Sequence, residues 1–418
     1  MEVFVNGAAK PSLSVADLGA AKSGGVALWA GNGSDGAYAN LRIVPSAPAG
    51  PPPASTQNIF QASSTGNLAR VRALVEADPQ LVRARSPNGL TAIHAAALYG
   101  QLGTAEYLLA KGADPNAVAR HSGTPLDVAY EAGQTEFVSW LEAKGARFTP
   151  LTFGITEIAP SVRRVAFPWG MMNNVVIFSG ADGAVVIDTG FSTRAVPELK
   201  RLIAGWSAPG IKYVVSTHAH GDHVAGNAIA PSPQGVITAA TLAAGHPGLP
   251  VVKEAEPLKG RSGRTLPAPY TLRTGGAEIK LIPRPALHSD ADLIVYFPAQ
   301  RVVDMGDLLL SESVPAAQDL AGYLTVLDDV LDVFPEDATF ISGHGRDLDA
   351  AGVRAYRDAL TEMIGIIRTG VASGRTAQQM VDDDVLKAYK SRFSLLEFLS
   401  ADTLIPRVVA ALAQGSLK

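Results

Sequence analysis

The sequence predicts an α/β protein whose sheet-forming part follows a stack of helical repeats and a short β-hairpin. Three observations carry that expectation. Short apolar strands alternate with helices from Thr149 onward, a pattern ahead of them recurs at an offset of 33 residues, and near the N-terminus two apolar runs flank a Gly/Asn/Asp turn. At 418 residues the chain exceeds what one hydrophobic core usually organises, so two or three domains are expected.

The first 45 residues read as strands. Val3, Phe4 and Val5 lead into a polar turn, and the runs VALWA (26–30) and AYANLRIV (37–44) flank GNGSDG, a hairpin pattern. So few strands cannot bury a core of their own. The stretch GGVALWAGNGSDGAYANLRIV resembles the last strands of concanavalin-like jelly-roll sandwiches, so 1–45 is either a remnant of such a domain or a hairpin extension. Residues 46–57, with Pro48, Pro51, Pro52 and Pro53 among Ala, Ser and Gly, form a stiff linker.

Beyond the linker, Thr91-Ala-Ile-His94-Ala-Ala96 aligns with Thr124-Pro-Leu-Asp127-Val-Ala129, and Gly112 with Gly145, at the same offset. An earlier copy runs from Asn58 through Gly66 to Arg85. The period and the T-P-L-H-x-A pattern resemble ankyrin repeats over 58–148, which implies helix pairs that hide their apolar faces by stacking, and a surface for a protein partner. His94 falls at the turn of its repeat, where backbone hydrogen bonding between repeats is expected of it.

From 149 to 418 the pattern becomes strands at 175–178, 184–187, 212–215, 279–282 and 293–297, with a helix at 196–203. Amphipathic helices are expected at 320–334 and 353–368, and a closing helical segment at 395–412. Composition narrows the partners. With 47% hydrophobic and 18% charged residues and no apolar run of the roughly 18 residues a membrane span needs, no transmembrane helix is expected. A net charge of -4, without a basic stripe, argues against nucleic acid and anionic membranes as partners. Zero cysteines direct any metal site to His and carboxylate ligands. The opening MEVFVNGAAK lacks a basic stretch followed by an apolar one, so no secretory signal is expected in it, and the compartment stays open.

The chemistry is concentrated after the strand at 212–215, in Thr217-His218-Ala219-His220-Gly221-Asp222-His223. A loop at a strand end points its side chains into a shared crevice. His218 and His220, two apart in an extended segment, face one way and can clasp one metal, while Asp222 and His223 turn toward a second.

H-x-H-x-D-H resembles the hallmark of the metallo-β-lactamase superfamily, and further landmarks follow in order. The run Val185 to Gly190 resembles the strand ending in DTG, His288 in Leu287-His288-Ser289-Asp290 the third His ligand, Asp307 in Met305-Gly306-Asp307 the bridging carboxylate, and His344 in Ser342-Gly343-His344-Gly345 the last His. The resemblance implies an αββα sandwich with two divalent ions at one edge between the sheets. Zinc suits the His-rich set, and the carboxylates also admit iron or manganese. His218, His220 and His288 would hold one ion with a position left open, and Asp222, His223 and His344 the other. Asp307 would span both, because a carboxylate has two oxygens and an imidazole one free nitrogen.

What the resemblance implies is a dinuclear hydrolase that turns a bridging hydroxide on an ester, lactone, thioester or amide, with Asp222 as ligand and orienter of that nucleophile. Asp188 is either a carboxylate that fixes a ligand imidazole's tautomer or a turn residue before Gly190. An Asp at 307 resembles the hydroxyacylglutathione hydrolases, lactonases and related esterases; β-lactamases proper usually carry Cys or Ser there. Two other readings are kept: a true β-lactamase, and an ankyrin-based binding module with the lactamase-like domain as scaffold. Trp169 and Met171, in Phe167-Pro168-Trp169-Gly170-Met171-Met172, are either a substrate-gripping rim or core, and His246 is a lone loop histidine outside the ligand set.

Overall fold

The computed structural model describes Glu2–Val3, Leu13–Ser14 and residues 57–417, apart from 87–88, 121, 168–172, 233–234, 246–248, 286, 318 and 397–398. Two compact units, Met1–Pro150 and Leu151–Lys418, divide the chain. The hairpin strands expected at 26–30 and 37–44, the linker through Pro53, Trp169, Met171 and His246 all lie outside the described residues. At the N-terminus β1 (Glu2–Val3) pairs antiparallel with β2 (Leu13–Ser14).

The first unit contains three helix pairs: α1 (Ile59–Ser64) with α2 (Leu68–Ala77), α3 (Ala92–Leu98) with α4 (Leu102–Ala110), and α5 (Pro125–Glu131) with α6 (Thr135–Ala143). Helices this short are marginal alone in water. They hold because Ile59, Val71, Ile93, Leu108, Leu126, Phe137 and Leu141 share one buried cluster across the pairs. Capping boxes start the first helix of each pair, at Asn58, Thr91 and Thr124.

His94 does what its position in the repeat predicts. Its Nδ1 accepts the Thr91 N–H at 3.1 Å, so Nε2 carries the proton and donates to the Gly123 carbonyl of the next repeat, also at 3.1 Å. Burial pushes its pKa down to about 4. The unfolded chain therefore binds a proton that the folded one refuses between about 6.5 and 4, and stability should fall as pH drops through that window, by about 3 kcal/mol at most. Thermal melts from pH 7 to 4 test this, and His94→Gln, which cannot take up the proton, should flatten the profile. An unchanged slope would refute the assignment.

The second unit opens with β3 (Gly154–Ala159), β4 (Val162–Ala166), β5 (Asn174–Gly180) and β6 (Gly183–Ile187). Then come α7 (Val196–Trp206), β7 (Ile211–Val215), the short α8 (Gly221–Val224), β8 (Val236–Ile237) and α9 (Ala239–Ala244). Strands β3 to β8 form one sheet in sequence order, antiparallel up to β6 and parallel from β6 through β8.

The chain continues through β9 (Val251–Lys253), the hairpin β10 (Leu258–Lys259) and β11 (Thr265–Leu266), β12 (Tyr270–Thr274), β13 (Ala277–Pro285), β14 (Ala291–Phe297) and β15 (Val302–Asp304). It ends with α10 (Leu320–Val333), β16 (Thr339–Ile341), β17 (Leu348–Asp349), α11 (Ala350–Ala372), α12 (Ala377–Asp382) and α13 (Ala401–Ala413). The second sheet runs β17-β16-β15-β14-β13-β12-β9, with β15 and β16 its parallel pair.

Strand alternation sorts the side chains into layers. Val185 and Ile187 of β6 join Leu281 of β13 and Val295 of β14 in the cluster between the sheets. Ala184 and Val186 face the other way, onto Leu199 and Ile203 of α7. Ile282, Ile294 and Phe340 on the outer face of the second sheet pack on Leu327, Val353 and Leu360 of α10 and α11 and Leu404 of α13. The order is helix, sheet, sheet, helix: the αββα sandwich.

Two expectations need correction. Strands β3 and β4, like β8 to β12 and β15 to β17, lie outside the expected set; for β3 and β4, polar Arg163 and Arg164 interrupt the apolar pattern and most of β3 is exposed. The closing helix begins at Ala401, not 395. The preceding residues spend their hydrogen bonds on another segment: Leu395 N–H donates to Glu312 C=O, Leu396 N–H to Ser313 Oγ at 3.1 Å, and Val314 N–H to Leu399 C=O.

Candidate metal centre

Strand ends assemble the site. Asp188 follows β6, His218 and His220 follow β7, Asp307 follows β15 and His344 follows β16, so the two parallel pairs deliver five side chains at their carboxyl ends. His288 comes from the β13–β14 connection, and Asp222 and His223 from α8. All seven residues of the expected ligand set lie together, in two groups that could each hold an ion.

In the first group His220 presents Nδ1, which lies 3.1 Å from His218 Nε2 and 2.9 Å from His288 Nε2. Asp307 Oδ2 lies 3.2 Å from His288 Nε2 and 3.9 Å from His218 Nε2. In the second group Asp222 Oδ2 is 3.2 Å from His344 Nε2 and 3.6 Å from His223 Nε2, and the two imidazole nitrogens are 3.3 Å apart. Asp307 Oδ1 is 3.3 Å from each of those nitrogens. A tetrahedral ion bound at ~2.0–2.1 Å sets its donors roughly 3.3 Å apart, so both sets have the dimensions a zinc-sized cation needs.

Asp307 supplies the test of fit. It is 7% exposed, and its Oδ1 makes no hydrogen bond of good geometry although two imidazoles adjoin it. A buried carboxylate oxygen without a donor is costly unless a cation meets it. Two glycines permit this placement: a Cβ on Gly343 would fall 2.0 Å from Asp307 Oδ1, and one on Gly306 2.6 Å from Thr217 Oγ1.

The charges show the same demand. Burial alone would push His223 and His344 down, but the surrounding carboxylates outweigh it. Asp307, Asp188 and Asp222 hold His223 well above its usual range, and Asp307 and Asp222 raise His344 to about 9. Burial opposes ionisation of Asp307 and Asp222 too, yet the neighbouring histidines keep both well below the ordinary carboxylate range. His218 and His288 are shifted down by burial, reinforced by neighbouring imidazoles. Without metal, the surroundings favour the imidazolium form of His223 and His344 and the neutral ring of His218 and His288.

Asp188 grips the site from behind. Its Oδ2 accepts from His223 Nδ1 at 2.6 Å and from Thr217 Oγ1 at 2.7 Å, and its Oδ1 from Thr217 N–H at 2.8 Å. Its backbone sits at φ 57°, a left-handed conformation that Asp tolerates better than most residues.

Several positioning residues were missed from the sequence. Asp292 accepts the N–H groups of His288 and Ser289, both at 3.1 Å, and so fixes the backbone of the His288 loop. Asp304 accepts Gly306 N–H at 3.0 Å and shapes the turn ahead of Asp307, while burial keeps its own carboxyl protonated well above the usual range. Asn174 donates to the carbonyls of Ser342 at 2.7 Å and Gly345 at 2.9 Å, holding the His344 loop from the opposite sheet. Asp292 and Asp304 lie within four residues of a candidate ligand and act on nearby backbone, so a local signal existed for both; Asn174 acts 168 and 171 residues away.

A family model described as the metallo-beta-lactamase superfamily matches residues 168–366, and one described as ankyrin repeats, in three copies, matches 59–150. Curated relatives include a transient receptor potential cation channel subfamily A member 1 homolog from Caenorhabditis elegans, 37% identical over 89 residues, or 21% of this chain and 7% of that protein. Another is a probable E3 ubiquitin-protein ligase, XBOS31, from Oryza sativa subsp. japonica, 38% identical over 111 residues, 26% of this chain and 24% of that one. The chain thus spans less than a quarter of the length of either.

Among solved structures, a metallo-beta-lactamase from Pontibacter korlensis is similar at 22% identity and TM-score 0.38, covering 50% of this chain and 98% of that one. The stereoselective inverting sec-alkylsulfatase Pisa1 from Pseudomonas sp. is similar at 18% identity and TM-score 0.44, covering 63% and 50%. The chain therefore combines a metallo-beta-lactamase superfamily domain with ankyrin repeats.

Proposed function

We infer that the segment from 149 to 418 is a dinuclear metal-dependent hydrolase acting on an ester, lactone, thioester or amide bond. The observation that carries this reading is Asp307, one oxygen directed at each donor group and one of them without a hydrogen bond. His218, His220 and His288 would hold the first ion, Asp222, His223 and His344 the second, and Asp307 would span both. When bound, such a pair of divalent ions supplies an activated water near neutral pH and a Lewis acid for the scissile carbonyl.

The chain's own residues do the rest. Asp188 accepts a hydrogen bond from His223 Nδ1–H, which keeps the proton on Nδ1 and leaves Nε2 to face the donor group. The Asp222 side chain, 16% exposed, is less buried than the His223, His344 and Asp307 side chains beside it, which supports a role for it as ligand and orienter of the attacking water. Asp307 supports ester-type substrates over β-lactams, since dedicated β-lactamases usually carry Cys or Ser there. For the repeats, exposed Leu98 and Tyr99, at 44% and 56%, support a protein partner. Among the described residues no helix is long and apolar enough to cross a membrane.

Elemental analysis of metal-replete protein should find about two ions per chain, zinc first among candidates with iron and manganese as alternatives. A panel of thioesters, lactones, phosphodiesters and a β-lactam should reveal the bond cleaved, and His218→Ala should lose most of that activity. One ion per chain or fewer, or full activity in His218→Ala, would refute the reading.

A further inference from the structure

Behind the donor atoms, a single line of hydrogen bonds joins one histidine of each group. His218 turns Nε2 toward the first group, so its Nδ1 carries the proton, 3.1 Å from Thr217 Oγ1. The Thr217 hydroxyl has one proton, and it goes to Asp188 Oδ2 at 2.7 Å. The same Oδ2 accepts the Nδ1 proton of His223 at 2.6 Å. Every proton in the line has one direction: His218 to Thr217 to Asp188, and His223 to Asp188 from the other side. All four residues are buried, at 4%, 2%, 2% and 0% exposure, so water does not compete for these bonds. Among the described residues no other imidazole of the first group has such support: His288 Nδ1 is buried without a partner there, and His220 turns its Nδ1 into the group itself.

We propose that Thr217 is a positioning residue that extends the carboxylate of Asp188 to His218, so that one buried anion orients a ligand in both donor groups and ties the binding of the two ions together. The inference rests on the two-ion reading above and goes beyond it. A direct carboxylate partner orients His223; a hydroxyl relay does the same for His218, which has no carboxylate of its own at Nδ1. Gly306 leaves room for the Thr217 side chain: a Cβ there would fall 2.6 Å from Thr217 Oγ1.

The test is a cobalt(II) titration of metal-free full-length protein followed by visible absorption, with the two binding steps assigned from His220→Ala and His344→Ala. Thr217→Val keeps the shape and removes the hydroxyl, and should weaken the first-group step by about 10–100-fold, the usual effect of losing an outer partner of a ligand. Thr217→Ser keeps the hydroxyl and should stay near the parent. Asp188→Asn should weaken both steps, and combining it with Thr217→Val should cost the first-group step no more than the larger single loss, because both changes cut one line.

Far-UV circular dichroism checks the fold of each variant. If Thr217→Val does not fold, Asp188→Asn still decides, since the relay requires that it weaken the first-group step. Parent-like loading of Thr217→Val, equal losses in Thr217→Ser and Thr217→Val, or an Asp188→Asn effect confined to the second group would overturn the proposal while leaving the two-ion reading intact. A parent that takes up fewer than two ions would overturn that reading, and the coupling with it.

Discussion

Asp307→Ser should release the second ion and lower affinity for the first, by at least the roughly 10–100-fold that loss of an outer partner brings, because an inner ligand is removed from each ion at once. One short hydroxyl cannot replace two oxygens that face different donor groups, 3.2 Å from His288 Nε2 on one side and 3.3 Å from His223 and His344 Nε2 on the other. It also withdraws a buried negative charge from between two cations, whose repulsion is then less offset. Equilibrium dialysis of the variant beside the parent measures the change. Unchanged affinity for both ions would place Asp307 outside the centre, and the preference for ester-type substrates would lose its main support.

The second large effect is on pH. His344 is raised to about 9 and His223 well above its usual range, so loading the second group near neutral pH must displace protons from both rings. Affinity there should fall by up to about a hundredfold for each pH unit below those values, one factor of ten per proton. His218 and His288 are held low, so these two rings should release no protons when the first group is loaded above neutrality.

The metal-free fold should respond in the opposite sense to the metal-loaded one. A histidine raised in the folded state stabilises it fully below the unfolded pKa, and that contribution disappears as pH rises through the folded value, here about 9 for His344. Calorimetric titrations in buffers of different ionisation enthalpy count the protons released. Zero release on filling the second group would contradict this charge assignment.

The clustering of the seven candidate donors was legible because much of it is local. His218 to His223 occupy six consecutive positions, and their direction follows from the strand that ends before them. Of the supports, Asp188 was a sequence candidate whose partner was not named, and the rest were not singled out, because a hydroxyl or carboxyl in the sequence does not announce its partner. Thr217 is adjacent to the motif, yet its role depends on Asp188, 29 residues earlier, and Asn174 serves carbonyls 168 and 171 residues later. Helix α13 shows the limit of periodicity: Leu395 and Leu396 continue an apolar helical pattern, but tertiary hydrogen bonds to 312–313 keep them out of the helix.

Those bonds at 395–399 also determine how the module can be moved. The superfamily match ends at 366, but the segment that follows Asp307 is completed from beyond it: Val314 donates to Leu399, and Leu395 and Leu396 donate to Glu312 and Ser313. The match begins at 168, after β4, so a fragment trimmed to it would turn β5 into a bare edge open to another chain. Anyone transplanting this centre, or expressing it alone, should cut by hydrogen bonds and not by sequence similarity. The transferable piece starts before β3 and keeps α13.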